Sequence, residues 1–547
     1  MRNAVAKTRF MRSIVVIVAV GCGEGERPAK RVTGEQLKFS VDSTKPLAAT
    51  PELVARGKKT FARQCSPCHG AAGLGDGPAA YLLYPKPRNF RKGTFRFVST
   101  WEGAPTDEDL FRTISRGIPG SAMPSWAYLP EDERWALVHF VKSLSQDSIV
   151  VAASKPAKPE SNQPGEGVVA VPPEPLDDDA SRARGAELFA KTCAPCHGPL
   201  GHGDGPNAAA IKDEDGIPIR PRDLNTGVFK GDPRPEHIYR RVVHGIPGTP
   251  MPATPQLANQ DGWHLTHFVR SLSSDLLRDR AEMKRFRIPV ARVDTLPDHP
   301  DSGAWHAAPK VELHLMPLWW SYTRPEYLTV QAVHDGQSIS LLLVWTDTTH
   351  DDRMLRPQDF RDAAAIELAP AGADPPFFAM GEEGRFVSIW MLKSERETDL
   401  AGFQDLEAQY PNIGIDSYPN LSKAPYEQPA RHSLTLQSDP QFITAWGAGN
   451  IVADPTRKSA AEDLRAQGFG TLKAPPRKDQ TVAAHGEYSN GSYRVMFRRS
   501  LQGQGEGAVD LAAQDAYPIA FAVWNGSAGD RDGKKSVTIW QELVFLP

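Results

Sequence analysis

Two short motifs constrain this chain more than any other feature: Cys65-Ser-Pro-Cys68-His69 and Cys193-Ala-Pro-Cys196-His197. They lie 128 residues apart, and the match at that offset runs well beyond them. Arg56-Gly57 aligns with Arg184-Gly185, Phe61 with Phe189, and Gly75-Asp-Gly-Pro78 with Gly203-Asp-Gly-Pro206. Further on, Gly117-Ile-Pro-Gly120 aligns with Gly245-Ile-Pro-Gly248, Met123 with Met251, and Trp135 with Trp263. The second copy gains and then loses a few residues around 211–235, which marks a variable loop. Two copies of one domain are the economical reading.

Two thiols three residues apart can add to the two vinyl groups of a haem, and the adjacent imidazole is then held under the iron. Zinc would need two further thiolate or imidazole ligands per site, and neither copy has another Cys. A thiol–disulfide site would need a βαβ context that the helical pattern here lacks. The sequence therefore predicts covalent haem c, held by Cys65 and Cys68 in one copy and by Cys193 and Cys196 in the other.

Elimination gives the sixth iron ligand. Between Cys65 and Cys193 the only methionine is Met123, and between Cys193 and residue 276 the only one is Met251. Each lies 54 residues after its His, His69 or His197, and each follows a Gly-Ile-Pro-Gly turn that can drape over a haem face. His139 and His267 also correspond, but they sit mid-helix beside Phe140 and Phe268 and are read as core or surface residues. A thioether ligand raises the potential and fills the position that catalysis would need open.

On these motifs residues 49–148 and 180–276 both resemble class I c-type cytochromes. The resemblance implies two all-α domains, each of a few helices around one haem. Arg88 and Arg222, in Pro-Arg-Asn-Phe and Pro-Arg-Asp-Leu, are candidates for haem propionate contacts, and a plain surface role fits them equally well.

Local signals agree with helices. Thr50-Pro51 and Asp179 offer N-caps ahead of each Cys pair, and Thr106 with Asp109 resembles a capping box. Trp135, Val138, Val141 and Leu144 share a helical face. Between the copies, residues 149–179 carry six prolines and an acidic end, which reads as a semi-extended linker that lets the two domains move.

The N-terminus combines basic residues with the short apolar run Ile14 to Val20, too short to span a bilayer. The run ends at Ala19-Val20-Gly21-Cys22, which resembles a bacterial lipoprotein box with Cys22 as the lipidated residue. Residues 1–22 are thus expected to be a signal peptide and 23–48 a polar tether. A periplasmic, lipid-anchored protein follows, and no later segment approaches 18 consecutive apolar residues.

From about residue 285 the helical period fades. Ile339, Leu341, Leu343 and Trp345 alternate along one face, as do Tyr493, Val495 and Phe497. Short strands between Gly, Pro, Asn and Asp clusters predict an antiparallel β-sandwich over 285–547. Pro376-Phe377-Phe378-Ala379-Met380-Gly381, Phe386 to Trp390, Gly468-Phe-Gly-Thr471, Ala522 to Gly526 and Gly533-Lys-Lys-Ser536 resemble the haem b subunit of ethylbenzene dehydrogenase and its relatives. An insertion near 405–460 interrupts the likeness. The resemblance implies a non-covalent haem b ligated by Met380 and Lys535, with Lys534 and Lys473 as rival lysines. It also implies molybdenum-enzyme catalytic subunits, or other periplasmic redox proteins, as partners.

A net charge of −3 on 547 residues removes the case for a nucleic-acid partner. The expectation is an exported electron-transfer protein, not itself an enzyme, with two haems c and one haem b. Two rivals stand beside it: a dihaem enzyme such as a peroxidase, and a dihaem cytochrome carrying a sugar-binding sandwich.

Overall fold

A computed structural model describes residues 34–145, 160–161, 167–372, 374–402, 409–412 and 457–546. The signal segment with Cys22, and most of the 405–460 insertion, lie outside the described residues.

The two copies fold alike. In the first, α1 (Pro51–Gln64) runs into α2 (Ser66–His69), and α3 (Asp107–Arg116) and α4 (Glu131–Leu144) follow. In the second, α5 (Asp179–Thr192), α6 (Ala194–His197), α7 (Pro235–His244) and α8 (Gln260–Ser271) repeat the order. Thr50 caps α1 through the Leu53 N–H, and Thr106 and Asp109 form the reciprocal capping box of α3. The cap of α5 is Asp178, one residue before the expected Asp179, and its carboxylate takes the Ser181 N–H. Helices α1 and α4 cross at Gly57, where a Cβ would stand 2.0 Å from the Ala136 carbonyl oxygen. Gly185 meets the His264 carbonyl at the same distance in the other copy. Only glycine permits this approach, which explains Arg-Gly at matched positions. Phe61, Phe111 and Trp135 then close the first core, with Phe111 stacked on Trp135 at 4.8 Å.

The linker is not the free spacer that its composition suggests. Its end straps across both helical units: Val169 is fully buried among Tyr239, Val243 and Trp263, while its N–H donates to the Ser99 carbonyl. Trp263 Nε1 donates to the Pro172 carbonyl. The two units are also docked directly. Arg96 pairs with Asp213 at 2.8 Å, Arg88 with Glu214 at 2.6 Å, and Lys92 with Asp215. Free movement is thus corrected to a packed interface, built from charges that one-dimensional periodicity does not reveal.

The expected tether is docked as well over residues 34–48. Glu35–Leu37 pairs with Leu37↔Arg285 register on the C-terminal sheet, and Glu131 gathers Ser43, Thr44 and Lys45. His139 donates to the Leu47 carbonyl at 2.7 Å.

Where the pattern predicts an antiparallel sandwich, the C-terminal half forms one large sheet nearly closed on itself. Its main order is Ala461–Ala466, Val387–Lys393, Ala363–Leu368, Ala516–Trp524, Gln541–Phe545, Arg285–Arg292, Tyr327–His334, Ser338–Thr346, Ser492–Ser500 and Ala483–Ser489. The pairings of Arg285–Arg292 with both neighbours are parallel, the rest antiparallel. Leu392 near one end of the order lies against Gly486 at the other, which brings the sheet round. The alternation itself holds: Leu341, Leu343, Trp345, Val495 and Phe497 all enter the inner core.

Candidate functional site

In the first helical unit, Cys65, Cys68, His69 and Met123 line one cavity of about 190 Å³. The chain turns from α1 into α2 at Cys65, and the His69 N–H closes that turn on the Cys65 carbonyl at 2.9 Å. His69 Nδ1 donates to the Arg88 carbonyl at 3.0 Å. That bond leaves Nε2 with the free lone pair, the tautomer of an imidazole ligand. Phe90 stacks on the ring at 4.5 Å and fixes its plane. Burial pulls the His69 pKa down to about 4, so the ring is neutral at physiological pH. Burial also pushes the Cys68 thiol up to about 12 and the Cys65 thiol higher still.

Met123 is presented by a loop that begins where α3 ends. Gly117 has φ 71°, a Cβ there would meet Pro124 at 2.5 Å, and the Ile118 N–H returns to the Met123 carbonyl at 3.0 Å. The second unit repeats this: Gly245 has φ 74°, and the Ile246 N–H reaches the Met251 carbonyl at 3.1 Å. Ser121 Oγ and Thr249 Oγ1 accept the N–H of Met123 and of Met251 respectively. Cys193 and Cys196 hold the same helical turn before His197, and burial lowers the His197 pKa and raises Cys193 to about 11. The Arg222 carbonyl stands beside His197 as Arg88 does beside His69, but Nδ1 lacks a hydrogen bond of normal geometry.

The residues of the first cavity fit a haem. Two thiols, an imidazole and a thioether line walls that are mostly aromatic and aliphatic, with Gln64, Thr113 and Ser121 among them, and four cations, Lys86, Arg88, Arg96 and Lys230, border it with no Asp or Glu among the described residues. An apolar macrocycle with two carboxylates on one edge suits that lining. Of the candidate propionate residues, Arg88 borders the cavity while ion-paired to Glu214. Arg222 crosses to the other unit and donates to the Gly120 carbonyl at 3.1 Å, beside the Met123 loop, with its Nε unpaired. His139 and His267 are structural: His267 is fully buried between Ser181 and Glu174.

Met380 and Lys535 line a second cavity, of about 830 Å³. Lys473 also borders it, whereas Lys534 turns away and lies over Trp319 at 4.6 Å. Lys535 lies over Trp524 at 4.7 Å. Met380 has φ 75°, a left-handed backbone that non-glycine residues rarely adopt. The Gly468 N–H on its carbonyl and the Gly381 N–H on Phe377 hold it there. Glu367 borders the same cavity, and the Lys535 charge and the Met380 backbone both act on its carboxyl, whose Oε1 has no hydrogen-bond partner among the described residues. Burial raises Glu367 and lowers Lys535, each opposed by the other's charge. Both shifts favour the neutral forms, and a neutral amine is the form that can ligate a metal. These residues too can hold a haem, through a thioether and an amine, in a cavity whose walls are mostly apolar but also carry Asp359, Glu367, Glu462, Asp530 and Asp532.

The cavities adjoin. Cys68, Leu83, Ala122, Phe377 and Phe378 border both. Among the described residues no cluster of three or more His, Cys, Asp or Glu has metal-binding geometry.

Comparison with known proteins agrees with this layout. The family model described as ethylbenzene dehydrogenase matches residues 302–536. Cytochrome c oxidase, cbb3-type, subunit III matches 52–141, and cytochrome c matches 182–273. The chain joins two cytochrome c domains to an ethylbenzene dehydrogenase-type domain. Among relatives of this cytochrome fusion, a Haloferax mediterranei protein named as a candidate respiratory nitrate reductase heme subunit, ORF7, is 26% identical over 48% of this chain and 73% of its own. Chlorate reductase subunit gamma of Ideonella dechloratans is 21% identical over 45% of this chain and 79% of its own. Dimethylsulfide dehydrogenase subunit gamma of Rhodovulum sulfidophilum is 24% identical over 46% and 77%.

Sequence reasoning missed Lys230, Trp126 and Glu367. Lys230 left a signal: Gly93-Thr-Phe95-Arg96 matches Gly227-Val-Phe229-Lys230 once the offset grows to 134. Glu367 and Trp126 left none, because their importance comes from contacts between distant segments.

Proposed function

We propose that the chain is an exported electron-transfer subunit that holds two haems c and one haem b and serves a catalytic partner of the molybdenum class, linking it to the respiratory chain. It is not the catalytic chain. His69 with Met123 and His197 with Met251 would ligate the irons of the two haems c, and Met380 with Lys535 would ligate that of haem b. Each haem, when bound, supplies a one-electron ferric–ferrous couple. Thioether ligands on both haems c raise their potentials and leave no open coordination position, which suits transfer and not peroxide chemistry.

The observation that carries this reading is the shared wall. The Met123 loop continues to Trp126, and Trp126 packs on Phe378, two residues before Met380. One layer of side chains thus divides a site built for covalent haem from a site built for a removable one. The named relatives, gamma and heme subunits of two reductases and a dehydrogenase, support a partner of that kind. A lipid anchor at Cys22 would hold the assembly at a periplasmic membrane surface. Among the described residues no helix is long and apolar enough to cross a membrane.

The test uses the full chain purified with its haems. Lys535→Ala and Met380→Ala should each lose the low-spin haem b spectrum and keep both haems c. If neither changes it and Lys473→Ala does, the lysine assignment is wrong. If no variant changes it, the haem b site is elsewhere.

A further inference from the structure

The cavity of the first cytochrome domain is completed by a residue of the second. Four cations border it, and three are committed. Lys86 donates to the Ala80 and Tyr81 carbonyls, Arg88 pairs with Glu214, and Arg96 pairs with Asp213. Lys230, which belongs to the second domain, reaches the same cavity, and its ammonium has no ion pair or hydrogen bond among the described residues. We infer that Lys230 binds a propionate of the haem held by Cys65 and Cys68, as a clamp between the two domains. The inference rests on the haem c reading above.

Three observations support it. Lys230 is held in place from the first domain: Arg116, at the end of α3, donates to the Phe229 and Lys230 carbonyls at 3.0 and 3.1 Å and pairs with Glu282 at 2.6 Å. The lysine is thus aimed by the interface and does not wander on a surface. Second, its surroundings are wrong for a lone cation. Burial, with the guanidiniums of Arg222 and Arg96, pushes its pKa down to about 7. A part-buried ammonium drawn out of bulk water without a partner is costly, and an anion removes that cost. Third, among the described residues the wall offers no Asp or Glu to serve as that anion. A haem brings carboxylates of its own, so the missing charge arrives with the cofactor.

The consequence is a potential set across a domain boundary. A cation beside a propionate disfavours the ferric state, which carries one more positive charge, and so raises the potential of that haem. Removing it from a water-poor site has a larger effect than removing an exposed charge, which solvent and salt screen.

The experiment compares Lys230→Gln, Lys230→Arg and, as an exposed control on α1, Lys58→Gln in the full chain. Pyridine haemochrome spectra first count covalent haem. Redox titration then follows each haem c by its shifted axial-methionine methyl signal, assigned through loss in Met123→Ala or Met251→Ala. Lys230→Gln should make the first haem at least tenfold harder to reduce, about 59 mV for one electron, and move the second far less. Lys230→Arg should stay near wild type. A first haem that shifts no more in Lys230→Gln than in Lys58→Gln overturns the clamp, as does an equal shift of both haems. Wild-type chain without covalent haem defeats the haem c reading instead.

Discussion

Trp126 meets Phe378 edge to face, with ring centroids 6.4 Å apart and planes at 66°. This contact joins the Met123 loop of a cytochrome domain to the Met380 loop of the β domain, and both rings are almost fully buried. It is the point where the two cavities share their packing.

Removing that ring should be costly. Phe378→Ala deletes a buried aromatic from the wall and should destabilise the chain by about 3–5 kcal/mol, with Phe378→Leu costing less. Guanidinium unfolding followed by far-ultraviolet circular dichroism measures the shift. A loss below about 1 kcal/mol would mean the wall is not packed as described.

The axial methionines make a second prediction. The ferric chain should show the weak near-infrared band of Met–Fe ligation, and Met123→Ala or Met251→Ala should each halve it. A full-strength band in either variant removes that residue from the iron.

Acid–base behaviour of the β domain follows from two buried carboxyls. Asp362 accepts from Gly526 N–H, Asp351 N–H and Tyr493 Oη, and Asp530 accepts from Asn525 N–H. Burial nevertheless lifts both to about 6. The folded state therefore keeps protons that the unfolded state releases. This stabilisation is full below about pH 4 and is lost as pH rises through about 6. Asp362→Asn mimics the protonated group, so its denaturation midpoint relative to wild type should rise between pH 4 and 7. A flat or falling difference contradicts the assignment.

How far the sequence leads depends on the range of the interaction. Met123 and Met251 are legible because a repeat places each at one spacing from its histidine, and the Gly-Ile-Pro-Gly turns are local. Strands such as Ser338–Thr346 are legible from alternation, yet the curling of the sheet is not, because it depends on pairings such as Phe545↔Val290 between distant segments. Val169 was hidden inside a Pro-rich stretch, and only the groove between two domains buries it. Lys230 looks like any surface lysine until Arg116 docks its backbone.

The N-terminal reading makes a prediction in cells. Expressed in a bacterial host, the chain should fractionate with membranes, and Cys22→Ser should release it or leave the precursor unprocessed. Wild-type protein found wholly soluble counts against the anchor.

The central claim is that two covalent haems and one removable haem share this chain. Acid–acetone extraction of the purified full chain, with haem counted in both fractions, tests it most directly. Two haems c per chain should stay with the protein and one haem b should enter the solvent. Extraction that releases no haem, or that strips the cytochrome domains, would contradict the account.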